Sequence, residues 1–177
     1  MLVSGGLIAL PSWANNWSFE KIGLIPKIFP AAYEKLLAEI VATIIPATDT
    51  PGAKELGVDV LIRKILADCY EKEVQDNFAK GLQEVDAVSK KMNGKPFVQA
   101  GGQQRLEVLK QMEKQEPAPE QTARSQTPPA PSFFRLVKEL TILGYTNSEY
   151  VMTKLTGYVA VPGHYYGNTP YTSQKSS

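Results

Sequence analysis

The sequence predicts an all-α fold: a compact helical domain with long irregular loops and an aromatic, glycine-rich C-terminal tail. Apolar residues recur at the spacing of a helix face in several segments, and there is no series of segments that alternate apolar with polar residues. Hydrophobic residues make up 43% of the 177 positions, which suits a single domain with one core.

An apolar run opens the chain. Residues 2–10 are apolar and are followed by small residues, so residues 1–14 are interpreted as an export signal with cleavage after Ala14. The run is shorter than the about 20 residues that span a bilayer as a helix. No Lys or Arg precedes it, unlike in an ordinary leader, and a buried N-terminal strand or helix is the alternative interpretation.

Residues 15–32 are interpreted as an extended arm, because a glycine and two prolines interrupt them. Helical spacing begins at Ala31, and the helical domain is taken as residues 33–177. Pro46 ends this first helix, and residues 46–53 that follow are dense in turn formers. One helix face carries the apolar residues Tyr33, Leu36, Leu37, Ile40, Val41 and Ile44.

Two further helices follow this turn. The apolar spacing predicts one helix from Val58 to Cys69 and another through Val88, with a bend near residues 70–75 and an end at Asn93-Gly94. Cys69 falls on the apolar stripe and is predicted to pack in the core, because free cysteine behaves as a small hydrophobe. A thiol partner on another chain is the alternative.

The distal half contains two more predicted helices separated by a proline-rich segment. A short helix follows Gly101-Gly102, and residues 116–131 form a surface loop inserted within the domain. The last helix is predicted over residues 133–143, with Ser132 as its N-cap and Gly144 as its C-terminal glycine.

The tail from Tyr145 onward is rich in tyrosine and glycine and has little periodicity. Tyrosine buries a large area at low entropic cost and is enriched at protein interfaces. We therefore expect the tail to lie on a partner protein; the alternative is a tail that wraps over its own helices.

Motifs for catalysis, cofactor binding or metal binding are absent from the sequence, so none of these sites is expected in this chain. There is no GxGxxG, Walker or Cys-x-x-Cys-His motif. Cys69 and His164 are the only residues of their kinds, which excludes an internal disulfide, a cysteine cluster and a multi-histidine metal site. The net charge of +1 does not favour binding to nucleic acid or anionic lipid.

Two segments resemble the gluconate 2-dehydrogenase subunit 3 family. Ile44–Ala53, which follows an amphipathic helix and precedes Gly57-Val58, is similar to the family signature. Residues 133–149 with 158–167 resemble the closing region of the family. The resemblance covers about Tyr33 to Gly167, most of the chain after the leader.

The resemblance implies a small, cofactor-free, non-catalytic subunit that stabilises a large FAD-containing subunit of the glucose–methanol–choline type and escorts its export. Such complexes oxidise sugars, polyols or glycosides, face the periplasm, touch the membrane only through the complex, and often include a cytochrome c subunit. We expect the turn and the tail to form the partner interface. Its residues are Pro46, Thr48, Asp49, Thr50, Pro51 and Gly52 in the turn, and Tyr145, Ser148, Tyr158, Pro162, Gly163, His164, Tyr165, Tyr166 and Gly167 in the tail.

The chain departs from the family pattern in two places. The usual twin-arginine pair is absent, and Asn168 stands where many relatives have a cysteine. Two other functions stay open: a free-standing exported helical module that binds a ligand or another protein, and an enzyme that uses His164 with Tyr165 or Tyr166.

Overall fold

The computed structural model describes residues 29–115, 132–159, 161 and 163. Within these ranges the chain is helical and contains no strand, which confirms the predicted all-α fold. A 3₁₀ turn spans Phe97–Gln99, and a π-helical turn spans Val151–Leu155. The export signal, residues 15–28 of the arm and the proline-rich loop at 116–131 lie outside the described residues. The α-helices are α1 (Ala31–Ile44), α2 (Val58–Cys69), α3 (Lys72–Asn93), α4 (Gly102–Lys114) and α5 (Phe133–Thr146).

Helix α1 lies at the centre of the bundle and contacts all four of the other helices and the 3₁₀ turn. Leu37, Ile40 and Val41 on its apolar face have no accessible surface, as their spacing predicts. The helix ends at Ile44 because Ile45 is extended, the conformation that a following proline imposes. The first residue of α1 differs from the predicted end of the arm. The arm was expected to run to residue 32, but Pro30 is the N-cap and Ala31 is already helical.

Helices α2 and α3 are separated by a sharp break within the predicted bend. Tyr70 is extended, and the Gln75 side-chain amide donates to the carbonyls of Leu66 (3.0 Å) and Tyr70 (2.9 Å), which satisfies acceptors at the end of α2. Gly94 adopts a left-handed conformation (φ 68°) after α3, which confirms the predicted end.

The prediction that Cys69 packs in the core is wrong, because its side chain is exposed. Leu66 is fully buried and makes the last core contact on this helix face. Cys69 continues the same stripe geometrically, but α2 ends there and the chain turns away at Tyr70, so no element among the described residues covers the thiol.

The prediction that Gly144 terminates the last helix is also wrong. Helix α5 continues to Thr146, and Gly144 is a buried residue within it. A Cβ atom at position 144 would lie 2.9 Å from Cγ1 of Val58, so the glycine permits close packing of α5 on α2. Asn147 is the C-cap residue of the helix, and its side-chain amide donates to the Leu143 carbonyl at 2.8 Å. Ser132 is the N-cap residue, as predicted.

Three phenylalanine side chains form an aromatic cluster within the bundle. The Phe29 ring stacks on Phe78 with centroids 5.7 Å apart, and Phe133 meets Phe78 edge to face at 4.9 Å. Gly81 of α3 makes room for this arrangement, since a Cβ there would lie 2.0 Å from Cγ of Phe133.

Among the described helices, none is long and apolar enough to cross a membrane.

The contact between Gly81 and Phe133 can be tested with Gly81→Ala. We expect the free energy of unfolding to fall by about 2 kcal/mol, because overpacking a close-packed core outweighs the better helix propensity of alanine. Urea unfolding followed by circular dichroism measures this change. Gly102→Ala is the matched control, since nothing lies within 4 Å of a Cβ built at position 102 in α4. Equal stability of the two variants would contradict the close approach of Phe133.

Candidate functional site

The turn at residues 46–53 leaves the bundle between α1 and α2 and is closed at its base by the main chain. The Ala53 amide donates to the Ile45 carbonyl at 3.0 Å, and the Thr48 amide donates to the Thr50 carbonyl at 3.0 Å. Ala53 is fully buried, whereas Thr48 and Asp49 at the tip are exposed. The sequence therefore forms a projecting tip on a base that belongs to the core.

Gly52 is required by the close approach of the two sides of this turn. A Cβ atom at position 52 would lie 2.5 Å from the Ala47 nitrogen and 2.8 Å from the Ile45 oxygen. Both are backbone atoms, which cannot move aside as a flexible side chain would. The glycine allows the turn to fold back over the end of α1.

The structure brings this turn together with the beginning of the predicted tail interface. The hydroxyl oxygens of Thr50 and Tyr145 lie 3.5 Å apart, and Tyr145 packs partly buried against the core. The Ser148 hydroxyl donates to the Tyr145 carbonyl at 2.7 Å and accepts from the Val151 amide at 3.4 Å. Ser148 thus precedes and caps the helical turn that begins at Glu149, so the tail is less irregular at this point than predicted.

An open groove lies between residues 55–56, which follow the turn, and residues 148–154. It has a volume of about 430 Å³ and mixes apolar and charged side chains. One predicted interface residue, Ser148, contributes to it. Its lining consists of Glu55, Leu56, Ser148, Glu149, Tyr150, Thr153 and Lys154.

Apart from Tyr158, which was predicted to lie at the interface, the exposed apolar side chains beside these segments were missed by the sequence analysis. Six of the nine large apolar side chains that are exposed in the described residues lie between positions 142 and 161. Leu61 of α2 joins them, because a Cβ on Gly144 would lie 3.2 Å from its Cδ2 atom. Leu61, Ile142 and Leu143 lie within the predicted helices, but helical spacing gave no signal that marked them as exposed. We name as the apolar surface Leu61, Ile142, Leu143, Leu155, Tyr158, Val159 and Val161.

The remaining predicted interface residues are placed only in part. The Tyr158 side chain is 55% exposed, and its amide donates to the Met152 carbonyl at 2.8 Å. Gly163 is exposed, and its φ of 75° favours glycine. Five further predicted residues lie outside the described part of the chain, so their side chains are not located relative to the turn: Pro162, His164, Tyr165, Tyr166 and Gly167.

Electrostatic contacts tie the turn to the bundle at Glu39 of α1. Its carboxylate accepts hydrogen bonds from Lys54 Nζ at 2.7 Å and from the Arg105 guanidinium. Burial raises the pKa of Glu39, but the hydrogen bond from Lys54 and the charges of Arg105 and Lys54 outweigh burial, so the pKa is lower than its usual 4.5. Glu39 is therefore ionised and paired at neutral pH.

Potential metal ligands are not grouped in the part of the chain that the structure describes. No cluster of three or more His, Cys, Asp or Glu side chains occurs among these residues. The arrangement of the turn, the groove and the apolar surface instead offers a mixed apolar and polar face of the kind that contacts another protein.

Comparison with known protein families identifies a match that covers most of the chain. The model of the gluconate 2-dehydrogenase subunit 3 family matches residues 31–163, which include α1 to α5, the turn and the described part of the tail. No curated protein and no solved structure matches the chain.

The role of Gly52 can be tested with Gly52→Ala. We expect a loss of about 2 kcal/mol in the free energy of unfolding, because the new methyl group collides with backbone atoms. Hydrogen exchange at the Ala53 amide should accelerate as its bond to Ile45 opens. The Gly102→Ala control should leave this exchange rate unchanged; a protected Ala53 amide in Gly52→Ala would contradict the packing described for the turn.

The pairing of Glu39 predicts a pH dependence of stability. Because the folded-state pKa lies below 4.5, the stabilisation is fully present above pH 4.5 and is lost as the pH falls through the folded-state pKa. At pH 7, Glu39→Gln should lower the free energy of unfolding by about 1 kcal/mol, since solvent screens part of the attraction. This difference from the unmodified protein should disappear at acidic pH.

Urea unfolding at a series of pH values measures this dependence. Glu113→Gln is the control, because it removes an exposed surface pair with Lys138 and should have no measurable effect. A Glu39→Gln effect of the same size at pH 7 and at pH 3 would show that the charge of Glu39 is not what stabilises the fold.

Proposed function

This chain belongs to the gluconate 2-dehydrogenase subunit 3 family, and from that premise we propose that it is the non-catalytic small subunit of a flavin-dependent dehydrogenase. Membership makes it a subunit of a dehydrogenase complex. In the proposed complex, the large subunit holds FAD and oxidises a sugar, polyol or glycoside. The small subunit stabilises the large one by contact.

The location of the apolar surface carries this proposal. Exposed apolar side chains are concentrated at the end of α5 and in the segment after it, beside the turn at residues 46–53. A concentration of exposed large apolar side chains in one part of a chain is typical of a protein interface. The site therefore supports contact with another subunit better than it supports chemistry on a small molecule.

The composition of the chain supports a non-catalytic role. With one histidine, one cysteine and no nucleotide-binding motif in the sequence, the chain lacks the residue sets that most redox sites require. FAD and the groups that position the substrate are therefore assigned to the large subunit. A cytochrome c subunit would accept electrons from the flavin where one is present.

Stabilisation of the large subunit needs no chemistry from the small one. A protein that binds only the folded form of its partner shifts the folding equilibrium by RT ln(1 + [L]/Kd), which is roughly 4 kcal/mol when its concentration exceeds Kd a thousandfold. In the proposed role the complex assembles before or during export and faces the periplasm. The apolar residues 2–10, interpreted as an export signal, support this location.

The proposal predicts that charges on the apolar surface break the complex. Leu143→Glu with Leu155→Glu should weaken binding of the flavoprotein at least tenfold, because each glutamate must lose its water inside an apolar contact. Both side chains are about half exposed, so the isolated subunit should keep its helical circular dichroism spectrum. The measurement is the flavin absorbance of material that co-purifies with the tagged chain from its native host.

Met92→Glu is the matched control, because Met92 is 45% exposed and lies at the end of α3, outside the candidate interface. It should retain the flavin. A chain that ends at Thr156 tests the tail residues, including His164, and should lose the flavin. Flavin retained by the double glutamate variant would place the interface elsewhere, and absence of flavin from the unmodified chain would reject the proposed function.

A further inference from the structure

We propose that Glu39 and Lys54 act as a positioning lock for the turn at residues 46–53. Glu39 lies within α1 and Lys54 lies directly after the turn, so their ion pair joins the end of the projecting loop to the helix that precedes it. The lock holds the turn in the orientation in which it meets a partner. This last step rests on the proposed function, whereas the effect on the turn itself does not.

The geometry places the lock at the base of the loop. Lys54 Nζ donates to Oε1 of Glu39 at 2.7 Å, one residue after the Ala53 amide makes the hydrogen bond that closes the turn. Beyond this point, the hydrogen bond from the Thr48 amide to the Thr50 carbonyl is internal to the tip, and the tip meets α5 through a long contact of 3.5 Å between the Thr50 and Tyr145 hydroxyls. A loop held loosely at its tip depends on its base for its direction.

Glu39 is itself fixed from the opposite side by Arg105. The guanidinium of Arg105 binds Oε2 of Glu39 through Nη1, and it also donates to the carbonyls of Phe97 (3.1 Å) and Val98 (2.6 Å). The Phe97 ring is fully buried, and the guanidinium carbon lies 5.8 Å from its centroid. The carboxylate that receives Lys54 is therefore anchored to the core and is not a freely rotating surface group.

The anchoring extends to a third helix. The Phe97 amide donates to Oδ1 of Asp86 on α3 at 3.0 Å. Lys54 is thus joined through Glu39, Arg105 and Phe97 to α1, α4 and α3. Each oxygen of this carboxylate therefore binds a different partner. Because one oxygen is already held in place, the other accepts Lys54 from one direction, which is what a positioning role requires.

Lys54→Met tests the lock, since it keeps the length of the side chain and leaves the pair between Glu39 and Arg105 intact. In the free full-length chain, hydrogen exchange at the Ala53, Leu56 and Gly57 amides should accelerate about tenfold, while exchange in α3 stays unchanged. Binding of the flavoprotein should weaken about tenfold in Kd. Lys54→Arg, which keeps the charge, should restore both quantities.

Lys72→Met is the matched control. Lys72 pairs with Asp76 at 2.6 Å within α3 and outside the network that anchors Glu39, so its loss releases no loop. It should alter neither the exchange of the turn nor the affinity.

Two outcomes separate this inference from the proposed function. Unchanged exchange of the turn in Lys54→Met would overturn the lock, whatever the complex does. Accelerated exchange with unchanged affinity would support the lock as a structural element and overturn its role in docking, because the turn would then lie outside the interface. If the unmodified chain carries no flavoprotein, the exchange measurement still decides whether the lock exists.

Discussion

The structure depends on the burial of one face of α1 by all the other helices. Leu37, Ile40 and Val41 have no accessible surface, and side chains of this kind each contribute about 1.5–3 kcal/mol when fully buried. Because α1 contacts every other α-helix that the structure describes, its C-terminal end has a fixed position. The base of the turn begins at that end and closes through the fully buried Ala53, so a surface loop starts and finishes inside the core.

Helix α5 changes character along its exposed face. Its first half carries charged side chains in ion pairs, Arg135 with Glu139 at 2.9 Å and Lys138 with Glu113 at 2.6 Å. One turn later the exposed residues are Ile142 and Leu143. Surface ion pairs add little stability, but the charged side chains that form them are typical of a helix face exposed to solvent. Exposure of the apolar side chains in the second half to water is unfavourable. This change in side-chain polarity marks where the solvated face ends and the candidate interface begins.

The sequence was sufficient to predict the helices but not the burial of every residue on them. Helical periodicity and the residues Pro46 and Gly94 located most boundaries correctly, because these signals act locally. Gly144 was misinterpreted because a glycine that ends a helix and one that admits a neighbouring helix look identical in sequence. Cys69 and Leu143 were misjudged because whether a neighbouring element covers an apolar stripe depends on tertiary packing. The turn and Tyr145 were assigned to one interface from the family resemblance, and only the fold explains why they meet.

The two segments of the candidate interface, the turn and the chain around Tyr145, come together only when the chain folds. Thr50 and Tyr145 are 95 positions apart in sequence, and only the packed bundle brings them together. A partner that contacts both the turn and the segment after α5 therefore binds the folded chain and not the unfolded one. Binding linkage is reciprocal: a partner stabilised by this subunit also stabilises the subunit, by an amount set by the free concentration of that partner relative to Kd. A turn already fixed by the core loses little conformational freedom on association, so more of the contact energy remains as affinity. In the proposed complex, the rigid base of the turn would therefore favour both the stability of this chain and its affinity for the partner.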